Sequence, residues 1–144
     1  MLLWRISEHL DLSGVGGTIA AGRWHRDLRP IIYTSATPSG ALLETLVHLD
    51  AEDAPDSLNL MKIYSPEAAA IETMPVAAFE QDTSLQRTKS FGDLWLRQQR
   101  TPLLRVPSIT MPETWNILLN PVHPDAERVT ILSAQRFGVD PRLF

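Results

Sequence analysis

The chain has 144 residues, of which 44% are hydrophobic and 21% charged, and its formal net charge is -4. That size fits one domain around one apolar core, here residues 1–144, and the acidic balance disfavours direct nucleic-acid binding. There is no cysteine, which excludes disulfides, thiolate metal sites and cysteine nucleophiles. Arg5 interrupts the first apolar run, and no stretch is long enough to span a bilayer; a cytoplasmic protein with no membrane contact is expected.

Leu2–Ser7 reads as a first strand. Asp11–Gly22 reads as a flexible loop containing Gly14, Gly16, Gly17 and Gly22. Pro30–Ser35 is short and β-branched, which predicts a second strand. Thr37 followed by Pro38 predicts a capped helix running through Leu49. Its apolar stripe would comprise Leu42, Leu43, Leu46, Val47 and Leu49, with Glu44, Thr45 and His48 on the other side.

Ser57–Tyr64 reads as another strand, and Pro66–Glu80 is weakly patterned. Ser90-Phe91-Gly92-Asp93 resembles a capping box, with Asp93 in the glutamate role, opening a helix through about Arg100. Leu103–Val106, Trp115–Leu119 and Val129–Ala134 are three further strand candidates. Strands and helices mix without βαβ alternation, which predicts an α+β fold.

Several signals for chemistry fail. Gly14-Val15-Gly16-Gly17 lacks the lysine of a phosphate loop and opens no convincing helix. His9, His25, His48 and His123 have no zinc-ligand spacing, and no metal is expected. Serine, histidine and aspartate are all present, but no G-x-S-x-G elbow supports a hydrolase. Four other residues each carry two readings. Arg23 is a surface cation or a fork for phosphate oxygens. Tyr33 is a core ring or a stacking platform for a heterocycle. Glu44 is a solvated helix residue or a working carboxylate, and Ser108 is a turn serine or a hydrogen-bonding group.

The order of these residues, with the segments "LWRIS", "GGTIAAGRWH", "PIIYTS", "ALLETLVHL", "FGDLWL", "LLRVPSITMPETWNILLNPVHPD" and "DPRLF", resembles the RES-domain family across nearly the whole chain. That family is named for an arginine, a glutamate and a serine, and its members are the toxins of bacterial toxin–antitoxin pairs. The resemblance puts Arg23, Glu44 and Ser108 at the three family positions, with Tyr33 as the accompanying aromatic. It implies a compact α+β domain with a mixed or antiparallel sheet, similar to ADP-ribosyltransferases, holding NAD as a consumed substrate in a cleft. It also implies a cognate antitoxin that blocks the cleft beside the Gly14–Gly22 loop, and leaves room for a homodimer.

Breaking the nicotinamide–ribose bond builds oxocarbenium-like charge on the sugar. The nicotinamide of NAD is already cationic and departs neutral, so one carboxylate near the ribose suffices. On the resemblance Glu44 would stabilise that charge and bind ribose hydroxyls. Arg23 would hold the pyrophosphate, Tyr33 would stack on nicotinamide, and Ser108 would bond near the nicotinamide or ribose. His25 and Asn116 would stand behind them. Transfer of ADP-ribose to a protein is the favoured reaction. Hydrolysis or phosphorolysis of NAD is the alternative within enzymes, and a catalytically weak partner-binding module is the alternative outside them.

Overall fold

The computed structural model describes residues 1–50, 52 and 54–144. Seven strands form one sheet in the order β4-β5-β6-β2-β1-β3-β7: β1 Leu2–Ser7, β2 Ile32–Ser35, β3 Leu58–Tyr64, β4 Ile71–Thr73, β5 Leu103–Pro107, β6 Trp115–Leu119 and β7 Thr130–Phe137. Every pairing is antiparallel except β4 with β5, which is parallel. The helices are α1 Gly16–Ile19, α2 Pro38–Leu46, α3 Val76–Gln81 and α4 Leu85–Gln98. The α+β expectation holds.

The period of 2 along each strand sends apolar side chains to both faces of the sheet. Leu3, Ile32, Met61, Ile63, Leu103, Ile117 and Leu119 pack on one face. Ile31, Leu104, Val106 and Leu118 pack on the other, against Trp24, Phe79 of α3, and Trp95 and Leu96 of α4. Trp24 stacks on Phe79 with ring centroids 6.0 Å apart, so this tryptophan belongs to the core.

β1 and β2 share only the pair Trp4↔Ser35, whereas β1 and β3 share six pairs. The ladder therefore opens on one side of Trp4. Such an opening leaves strand backbone unpaired within the protein, where a ligand can meet it.

Three local expectations are corrected. α2 begins as predicted, with Thr37 accepting from the Gly40 N–H at 3.0 Å, but it ends at Leu46 and only single turns carry on to Leu49. Its buried residue is Ala41, and Val47 is exposed rather than part of an apolar stripe. α4 begins at Leu85, not Ser90: the Ser84 hydroxyl accepts from the Arg87 N–H at 3.2 Å and so makes the cap two turns earlier. The glycine-bearing loop contains the turn of α1, and Gly17 is buried there. The weakly patterned stretch holds β4 and most of α3.

A candidate active site where two strands part

The opening between β1 and β2 is a cleft of about 870 Å³, within the range of small-molecule sites. Its walls come from separate parts of the chain. β1 contributes Trp4, Arg5 and Ile6, and β2 contributes Tyr33, Thr34 and Ser35. The polar side of α2, Glu44, Thr45 and His48, forms one wall, and Leu85 and Lys89 of α4 form another. The loop Gly22–His25 also lines the cleft.

Glu44 is half-buried and held at one oxygen. Its Oε1 accepts from Ser108 Oγ at 2.7 Å, Thr110 Oγ1 at 2.9 Å and Asn116 Nδ2 at 2.7 Å. Asn116 is oriented in turn by Ser35, whose hydroxyl donates to its Oδ1 at 2.7 Å. Ser35 and Asn116 lie opposite each other in the β2–β6 ladder, so sheet register builds this chain. Three donors on Oε1 fix the carboxylate and leave Oε2 for the cleft. Ser108 is not part of the cleft lining. It sits behind Glu44, and its Oγ also accepts the N–H groups of Thr110 and Met111, each at 3.2 Å.

Arg23 is positioned by α4. Thr88 Oγ1 donates to the Arg23 carbonyl at 2.8 Å, and the buried Asp93 Oδ1 accepts from the N–H groups of Arg26 at 2.8 Å and Asp27 at 3.1 Å. Between these contacts Gly92 lies so close to the Trp24 carbonyl that a Cβ would collide with it. The "FGDLWL" segment therefore grips the loop instead of starting a helix, and Asp93 caps a distant backbone rather than its own. The Arg23 side chain donates from Nη2 to the Thr83 carbonyl, and its buried Nε has no protein partner among the described residues.

Tyr33 contributes ring area to the cleft, but its hydroxyl is engaged. It accepts from the Trp24 N–H at 3.1 Å and lies 2.8 Å from His25 Nδ1. Nε2 of His25 is 3.2 Å from the Gly17 carbonyl. The ring therefore carries its proton on Nε2 and accepts at Nδ1. Gly22 leaves space for the Tyr33 hydroxyl that a Cβ would occupy. Burial pushes the Tyr33 phenol well above its ordinary pKa, and the negative charge of Asp93 adds to the shift.

A phenol raised in this way stabilises the fold fully below about pH 10, and the contribution is lost as pH climbs toward the folded value. Tyr33→Phe is expected to lack this alkaline loss. It should also cost about 1–3 kcal/mol at neutral pH, because the Trp24 N–H loses its acceptor. Urea melts of both proteins between pH 7 and 11 check this; parallel pH curves would contradict it.

Arg5 also borders the cleft, with Nη1 buried and without a protein partner. Burial lowers its guanidinium pKa, while the charge of Asp11 opposes the shift. Among the described residues there is no group of three or more His, Cys, Asp or Glu side chains that could hold a metal. No helix among them is long and apolar enough to cross a membrane.

The structure thus brings Arg23, Tyr33 and Glu44 to one cavity and sets Ser108 directly behind Glu44. Thr110 and the α4 grip carried no sequence signal, because their partners lie more than 60 residues away.

A small α+β protein with a cleft in a parted sheet, a fixed carboxylate on one wall and cations on others, is the class that fold and geometry define. The chain belongs to the RES-domain family, whose model matches residues 2–140. It is 41% identical over 146 residues to "Toxin Res" of Pseudomonas putida, covering 100% of both chains. It is 36% identical to the "Prs ADP-ribosylating toxin" of a Sphingobium species, over 97% of this chain and 94% of that one. In three dimensions it resembles a chain from the crystal structure of the Mycobacterium tuberculosis MbcT-MbcA toxin-antitoxin complex, with a TM-score of 0.69, 18% identity, and coverage of 99% of this chain and 85% of that one.

Proposed function

We propose that the chain is an NAD-consuming toxin that cleaves the nicotinamide–ribose bond and transfers ADP-ribose to a protein acceptor. The observation that carries this reading is Glu44, fixed by three donors on Oε1 inside a cleft bordered by Arg5, Arg23 and Lys89. NAD presents a cationic nicotinamide riboside joined to an anionic pyrophosphate. A cleft with one carboxylate among several cations matches both signs.

Glu44 Oε2 faces the charge that develops on the ribose as the bond lengthens. Because the carboxylate is already fixed, little reorganisation opposes that stabilisation. Nicotinamide takes the bonding electrons and leaves neutral, so no protein acid is required. The Tyr33 ring bounds the space for the departing heterocycle. Ser108, Thr110 and Asn116 act through Glu44 and hold its working oxygen toward the sugar. Arg23 presents its guanidinium to the pyrophosphate while Nη2 remains anchored to Thr83.

The Sphingobium relative's name supports transfer to a protein over simple hydrolysis. An antitoxin partner is supported by the complex in which the structural neighbour was solved. The rim also suits a protein cover: Val47, Leu85 and Ile109 border the cleft from three segments and are 54%, 52% and 44% exposed.

Arg23→Ala is expected to weaken NAD binding by about 10–100-fold through loss of a charged donor. Arg23→Lys should restore only part of the affinity, since an ammonium cannot hold Thr83 and offer a second fixed N–H in the same plane. Calorimetric titration in a Glu44→Gln background, where turnover is suppressed, measures both. Unchanged affinity in Arg23→Ala would remove the residue from the site.

A further inference from the structure

We propose that Lys89 is a second phosphate-binding cation of this cleft, standing beside Arg23 on the α4 side, and that the two together recognise the pyrophosphate of the dinucleotide. The inference rests on the NAD reading and extends it to a residue outside the arginine–tyrosine–glutamate–serine set.

Placement comes first. Lys89 is half-buried and borders the cleft together with Leu85, one helical turn earlier. The adjacent residue, Thr88, is bonded to the Arg23 carbonyl at 2.8 Å. The main chain carrying the arginine is thus fastened to α4 next to the lysine. Arg23 and Lys89 come from segments 66 residues apart, yet they line the same opening.

Charge supplies the second argument. Among the described residues, Lys89 belongs to none of the ion pairs. In a chain of net charge -4, the cleft lining contains Arg5, Arg23 and Lys89 against the single carboxylate Glu44. Unpaired cations gathered in a concave site of an acidic protein call for an anionic ligand.

Recognition chemistry supplies the third. Arg23 has one nitrogen committed to Thr83, so its fork cannot enclose two phosphates alone. A second phosphate left without a cation in a half-closed cleft would be costly to desolvate. Lys89 offers a compact ammonium with three donors on a flexible stem, which can follow that phosphate as the ligand seats.

The test uses Lys89→Gln and Lys89→Arg, with ADP-ribose binding by calorimetry and steady-state NAD consumption as readouts. ADP-ribose contains the pyrophosphate and is not cleaved by the proposed reaction. In Lys89→Gln, ADP-ribose affinity should fall about tenfold and KM for NAD should rise in step. Its kcat should stay near the wild-type value, because binding to an unreacting group stabilises ground and transition states alike. Lys89→Arg should recover most of the affinity.

Wild-type ADP-ribose affinity in Lys89→Gln overturns the assignment and leaves the NAD reading standing. A parallel fall in kcat that Lys89→Arg does not repair also overturns it, by showing a structural role. A wild-type protein that neither binds ADP-ribose nor consumes NAD defeats the NAD reading and this assignment together.

Discussion

Glu44→Gln is expected to lower nicotinamide release from NAD by about 100–1,000-fold while leaving the fold intact. Glutamine keeps an Oε1 acceptor for Ser108, Thr110 and Asn116, the three donors that now converge there. The substitution therefore removes charge with little change in packing or hydrogen bonding. What disappears is the negative partner for the ribose cation, which matters most where that cation is fully developed. The loss should consequently fall on kcat more than on KM. Steady-state kinetics with a thermal melt of the same preparation checks it. A folded Glu44→Gln protein with near-normal turnover would place the catalytic charge on another residue.

Gly92→Ala is expected to produce the largest loss of stability among single-methyl additions. The added Cβ would run into the Trp24 carbonyl, and main chain cannot swing aside as a long side chain can. For α4 and the loop to separate, Thr88 must leave the Arg23 carbonyl and Asp93 must leave the N–H groups of Arg26 and Asp27. Overpacking together with these lost bonds should cost about 3 kcal/mol, or roughly 10 °C in melting temperature for a chain of this size. Gly16→Ala is the matched control, since nothing lies within 4 Å of a Cβ there. Equal melting temperatures for the two variants would contradict the tight crossing.

Strands showed clearly in the amino-acid pattern because their signals are local. Leu2–Ser7 and Trp115–Leu119 emerge with the predicted bounds. The Thr37-Pro38 start of α2 is local too, and it appears as a side-chain cap with proline at the first helical position. The amino-acid pattern misplaces the start of α4 at Ser90 because the Ser90–Asp93 box is a local signal, whereas the use of Asp93 is set by the backbone of Arg26 and Asp27, 67 and 66 residues away. β4 has three residues and pairs in parallel with β5; it is too short to show alternation.

The candidate site divides in the same way. Arg23, Tyr33, Glu44 and Ser108 could be singled out by type and order, and their setting could not. That Ser108 supports Glu44 from behind follows from its position after β5, next to the α2 wall. That the Tyr33 hydroxyl holds the Trp24 N–H follows from the tight loop at Gly22–His25. Thr110 and Asn116 become partners of Glu44 only once α2 has docked beside the β2–β6 ladder. Such convergence depends on register, which no single segment encodes.

The most direct measurement of the central reading is incubation of the purified protein with isotopically labelled NAD and a cell lysate supplying acceptors, followed by mass spectrometry of small molecules and proteins. The expected result is nicotinamide release matched by labelled ADP-ribose on protein, with both signals suppressed in Glu44→Gln. NAD that remains intact in the presence of folded wild-type protein would contradict the proposed function.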